Sequence, residues 1–187
     1  EKPMDIALLS ALVRADRFPA FDPWFAGGLL NYYYLGFLPV ALLCRLTGVE
    51  PALGYTLAIG TWWAMTGGGV AIVAGTLVER LGLHARPGRA ALAAAVLGVV
   101  CGNLRQVELL WRWWTGPVDL HAWYWHASRA IPAAPGEAPP ITEFPYFTFL
   151  FGDLHAHLLA MPWLLAAVLL SVQIVARPAG TARQALP

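Results

Sequence analysis

Residues 52–78 run for 27 residues without a charged side chain. At about 1.5 Å per helical residue, this exceeds the roughly 20 residues needed to cross a hydrocarbon core about 30 Å thick. Composition places the chain in a membrane as well, because 58% of its residues are hydrophobic, only 12% are charged, and nine are tryptophan. Two further runs have the same character. Residues 90–104 are charge-free between arginines that can extend outward to the interface, and residues 158–176 lie between His157 and Arg177. Pro162 falls in the last of these, where it suits the first turn of a helix or a kink.

Residues 24–44 are also uncharged but contain Gly27, Gly28, Asn31, three successive tyrosines and Pro39. They either cross the membrane or lie in its interface, and the tyrosines favour the interface. Arginines 80, 86 and 89 between two runs, and 177 and 183 after the last, place those loops in the cytoplasm by the positive-inside rule. The expected organisation is an external loop with interfacial helices over residues 1–51, then a two-span hairpin over 52–104 with its cytoplasmic turn at 79–89. An external aromatic-rich loop at 105–153 follows, and a third span with a cytoplasmic tail occupies 154–187. The fold class is therefore all-α integral membrane, with about three transmembrane helices plus surface-lying helices in an external loop. A start at Glu1, without methionine or signal peptide, suggests a fragment of a larger polytopic protein whose further transmembrane helices would be its partners. The expected localisation is the plasma membrane with the functional face external.

A net charge of +1 makes nucleic acid an unsuitable partner. Cys44 and Cys101 lie in apolar runs without paired spacing and read as buried small residues. No phosphate-binding loop, dinucleotide fingerprint or H-E-x-x-H is present, and the glycines of "TGGGV" read as a place where helices approach.

Chemistry-bearing residues concentrate on the expected external face. Leu8, Leu9, Leu12 and Val13 form an apolar stripe at helical spacing, and Pro3 suits a first turn, so the chain opens with a surface-lying helix. Glu1 and Asp5, four apart, form either a paired-carboxylate site or solvated charges favourable to the helix dipole. Asp22 stands before a proline in a turn. Trp123 and Trp125, with Arg129 nearby, form either a platform for a sugar ring or an interfacial tryptophan belt. Asp153, His155 and His157 alternate ahead of the last apolar run. In an extended segment all three would share a face and, with Asp5 or Glu1, hold a divalent cation of Mn²⁺, Zn²⁺ or Fe²⁺ type; alternatively Asp153 caps the helix and the histidines are wet.

"EKPMD", "DPWFAGG", "NYYY", "ASRAIP" and "ITEFPYFTFLFGDLHAH" occur in that order. Together they resemble the YYY-domain family of bacterial and archaeal polytopic membrane proteins. The order of elements is also similar to the C-type glycosyltransferase superfold, whose members move sugars from polyprenyl-phosphate carriers at the external membrane face. That second resemblance implies a lipid-linked sugar donor, contact with membrane lipid, and a catalytic role for Asp5 or Glu1, with Asp5 the better general base. The usual adjacent acidic pair is replaced here by Glu1 and Asp5 with Lys2 and Pro3 between them. Lys2, Asp22, Asn31, Tyr33, Trp123, Trp125 and Arg129 are the expected substrate-binding residues. The expected function is glycosyl transfer from a polyprenyl-phosphate donor; the alternative is a non-catalytic transporter or assembly subunit.

Overall fold

The computed structural model describes residues 2–101, 104–117, 119 and 125–176. Glu1, Trp123 and the tail beyond Ala176 lie outside the described residues. Helix α1 covers Lys2–Arg14, α2 Leu38–Thr47, α3 Pro51–Arg80, α4 Pro87–Val99, α5 Leu104–Thr115, α6 Pro145–Phe151 and α7 Ala156–Val175. Short 3-10 helices at Tyr34–Gly36 and His126–Ser128 complete the regular structure among the described residues.

Only α3 and α7 are long and apolar enough to cross a membrane among the described residues. Their 30 and 20 residues correspond to about 45 and 30 Å. The expected second span is shorter than its charge-free run suggests. Helix α4 has 13 residues, about 20 Å, and ends at Val99, so it does not cover a hydrocarbon core by itself. It packs along α3, as does α7, and "TGGGV" serves these contacts: Gly67 faces Val99 and Gly69 faces Leu165. No single helix covers residues 24–44, which fold as a loop, a 3-10 turn and the ten-residue α2. Cys44 is buried as expected, whereas Cys101 is exposed just beyond α4.

Pro162 lies inside α7 instead of in its first turn, because the helix begins at Ala156. A proline has no N–H to give the carbonyl four residues back, and neighbouring helices commonly compensate. That carbonyl here is Leu158's; the next one, Leu159's, accepts from the Trp62 indole of α3 at 3.1 Å. Helix α5 is amphipathic and carries exposed Trp111, Trp113 and Trp114, with a Glu108–Arg112 ion pair of 2.6 Å along it.

The core lies at one end of the bundle, where α1, α2, the first half of α3 and the start of α7 converge. Leu9 and Leu12 from α1 meet Phe37, Tyr55, Trp62, Leu154 and Leu158 there. Gly36, closing the tyrosine run, lets that turn approach α7: a Cβ at this position would stand 2.9 Å from Leu159 Cδ1 and 3.0 Å from its Cβ. Gly60, in the middle of α3, has nothing within 4 Å of such an added atom. Gly36→Ala should therefore lower stability by about 1–3 kcal/mol, the usual cost of overpacking, while Gly60→Ala should not destabilise. Thermal unfolding of both variants in detergent checks this; equal midpoints would mean that the tyrosine turn does not seat on α7.

Candidate functional site

Helix α1 does more than lie on a surface. Asp5, Leu8, Leu9 and Leu12 are spaced i, i+3, i+4 and i+7, so they share one face, and that face is the buried one. The Asp5 carboxyl is consequently carried into the core, with no solvent exposure. The reading of Asp5 as a solvated charge is thus incorrect, because its own apolar stripe draws it inward. The Tyr33 hydroxyl donates to Asp5 Oδ1 at 3.1 Å, while Oδ2 has no hydrogen-bond partner among the described residues.

Burial pushes the Asp5 carboxyl up to about 7, and the neighbouring Asp153 carboxylate pushes the same way against the Tyr33 hydrogen bond. A proton on Oδ2 removes the buried charge and turns that oxygen into a donor, for which the Asp153 carboxylate is the acceptor. Burial, and then the charge of Asp5, also raise the Tyr33 hydroxyl, which keeps it a donor. Within the NYYY run Tyr33 reaches the site, its ring 6.0 Å from Phe37 and 5.8 Å from His155.

The second half of the site comes from the link between α6 and α7. Gly152 ends α6 in the left-handed region, φ 63°, and lets the chain turn. The Tyr55 hydroxyl then pins the link by donating to Asp153 Oδ1 at 3.1 Å and accepting from the Leu154 N–H at 2.8 Å. Asp153 is buried and lies before the α7 N-cap, which is His155. It therefore does not cap the helix. His155 Nδ1 stands 3.4 Å from Asp153 Oδ2.

His157 is already in the first turn of α7, so the three alternating residues do not form one extended row. Its Nε2 pairs with Glu143 and lies 3.2 Å from Thr148 Oγ1. Among the described residues two sets of potential metal-binding atoms result, each within 4.8 Å: Asp5 with Asp153 and His155, and Glu143 with His155 and His157. His155 is common to both.

Lys2 is close by but turned to the α6 terminus, donating to the Phe151 carbonyl with its ammonium 4.6 Å from the Phe151 ring centroid. Trp125 packs on Phe147 and Phe151, and the Arg129 guanidinium lies 5.4 Å from the Trp125 ring. Trp125, Arg129, Phe147 and Phe151, but not Lys2, line a cavity of about 280 Å³ together with Glu143, Thr148 and Asp153. Two expected site residues stand apart. Asp22 caps its own turn, accepting from the Trp24 and Phe25 N–H groups at 2.8 and 3.2 Å, and Asn31 is exposed.

The family model described as "Uncharacterized membrane protein (DUF2298)" matches residues 1–186. The chain belongs to that family. With α3 and α7 long and apolar enough to cross, it is a membrane protein, mostly helical and without strands among the described residues. No curated protein and no solved structure matches it.

Sequence reading missed Glu143 and Tyr55. Glu143 lies in the same motif as the histidines, ten residues before Asp153, and a seven-residue helix folds it back onto them. Tyr55 is a polar group near the start of an apolar run, one turn from the helix end.

The raised Asp5 carboxyl predicts a pH signature. The unfolded group ionises near 3.8 and the folded one near 7, so its contribution to stability is complete below about pH 4 and is lost as pH rises through 7. Asp5→Asn, neutral throughout, should lack this decline, so wild type should lose stability relative to the variant between pH 4 and 7. Parallel unfolding midpoints for the two proteins over that window would show that the fold accepts the ionised carboxylate.

Proposed function

We propose that this protein is an integral-membrane glycosyltransferase that moves a sugar from a polyprenyl-phosphate donor to an acceptor hydroxyl. The reaction is assigned to the external face of the plasma membrane. One observation carries the reading: Asp153 belongs to the buried carboxyl pair with Asp5 and also lines the cavity that holds Trp125 and Arg129. A proton acceptor, an aromatic surface and a cation thus meet in one place. The cavity, about 280 Å³, is just below the roughly 300–1,000 Å³ typical of small-molecule sites.

Because Asp5 is buried behind the cavity, the pair acts as the base instead of Asp5 alone. Asp153 takes the proton of the acceptor hydroxyl, while Asp5, which holds its own proton up to about pH 7, hydrogen-bonds to Asp153 and keeps it oriented. The acceptor oxygen bonds to the anomeric carbon as the bond from that carbon to the donor phosphate breaks, its electrons leaving with the phosphate. Arg129 offsets the charge of the leaving group, and Trp125 stacks on the sugar ring. The order of elements, similar to that of the C-type glycosyltransferase superfold, supports the same reaction class. Transport is less well supported, since α7 carries no Asp, Glu, Lys or Arg.

Asp153→Asn and Asp5→Asn should each reduce transfer about 100- to 10,000-fold at unchanged abundance, while Trp125→Ala should act mainly by raising KM. Radiolabelled polyprenyl-phosphate sugars, supplied to membranes with acceptor, provide the assay. Wild-type turnover in both Asp→Asn variants would remove the carboxyl pair from the chemistry.

A further inference from the structure

We infer that Glu143, His155 and His157 hold a divalent transition-metal ion at the edge of the Trp125–Arg129 cavity, with Asp153 orienting His155. One ligand atom from each of the three residues lies within 4.8 Å of the others, and the two imidazole rings are 5.1 Å apart. Two imidazoles and a carboxylate suit ions of the zinc, manganese and iron(II) class better than magnesium. Three protein ligands leave coordination positions for water or substrate, the pattern of a catalytic site.

The surroundings are those of a supported metal site. His155 Nδ1 stands at ion-pair distance from Asp153 Oδ2, 3.4 Å, without the geometry of a hydrogen bond; a proton on Nδ1 that closes this contact would leave the other ring nitrogen to the ion in a carboxylate–histidine–metal arrangement. Asp153 is in turn held by the Tyr55 hydroxyl. On the other side, His157 Nε2 already meets the Glu143 carboxylate, and the ion takes the place of the proton between them. Thr142, next to Glu143, is fixed by its N–H donating to the Ser128 carbonyl at 2.7 Å, which joins this ligand to the segment bearing Trp125 and Arg129. The competing set of Asp5, Asp153 and His155 is less suitable for this role, because Asp5 is fully buried and does not line the cavity, whereas Glu143 does.

This inference deepens the transfer reading by naming the class of ion that would meet the donor phosphate, and rests on that reading only for this role. The test is therefore binding, independent of turnover. Chelator-stripped protein in detergent is titrated with Co²⁺, followed by its visible absorption, and with Zn²⁺ in competition. Wild type should bind one equivalent, with Mg²⁺ unable to displace it. Asp153→Asn should weaken binding about 10- to 100-fold, and Glu143→Gln and His157→Ala should weaken it more. Asp5→Asn should leave stoichiometry and spectrum unchanged. Glu143→Gln removes only the charge of an exposed side chain, and each variant's unfolding midpoint is measured alongside. Absence of Co²⁺ binding in wild type overturns the inference, as does binding that survives Glu143→Gln and His157→Ala or is lost in Asp5→Asn. Metal binding as described together with no transfer of any lipid-linked sugar would instead remove the glycosyltransferase reading and leave the metal site standing.

Discussion

A carboxylic acid can be buried at no solvent exposure only if its charge is removed or compensated, and at Asp5 both devices operate. Tyr33 donates to one oxygen, and the raised proton affinity caused by burial and by Asp153 keeps a proton on the other. The remaining architecture follows from meeting this requirement. Tyr33 reaches Asp5 because Gly36 lets its turn rest on Leu159 of α7. Asp153 reaches the same place because Tyr55 of α3 fastens the link between α6 and α7. Four separated parts of the chain are thereby joined at the end of the two long apolar helices.

Bilayer thickness is the second constraint. Helices α3 and α7 have the length to cross, and their apolar surfaces are largely exposed, as at Leu57, Ile72, Leu164 and Ile174. Within the spans Thr56, Thr61 and Ser171 bond back to their own helices, whereas polar side-chain contacts between elements gather at one end. There the carboxyls, imidazoles and tyrosine hydroxyls partner each other, while the middle of α7 carries only one notable irregularity, Pro162, beside which Trp62 donates to a backbone carbonyl.

Much of the helical framework was legible because it depends on local patterns. The charge-free runs marked α3 and α7, and the stripe of Leu8, Leu9 and Leu12 marked α1. The same stripe contained the position of Asp5, three residues before Leu8, yet an acid near a helix start invites a solvated reading. Burial there depends on Tyr33 and Asp153, which are distant in sequence. The extent of α4 was overestimated because absence of charge shows where a helix can lie in lipid, not where its backbone stops. Asp153, His155 and His157 were recognised as chemistry but given one shared face; starting α7 at Ala156 turned His157 towards Glu143 instead. Neither Glu143 nor Tyr55 could be paired from local spacing, since each meets its partner through a turn or an interhelix contact.

Infrared spectroscopy of the protein in lipid, isotope-edited by selective labelling of aspartate carboxyl groups, reads the protonation of Asp5 directly. The account predicts a carbonyl band from a protonated, poorly hydrated carboxylic acid at pH 5 that disappears as pH rises through about 7 and is missing from Asp5→Asn. A spectrum without that band at pH 5, or with one that persists in Asp5→Asn, would contradict the neutral, buried Asp5 on which the site is built.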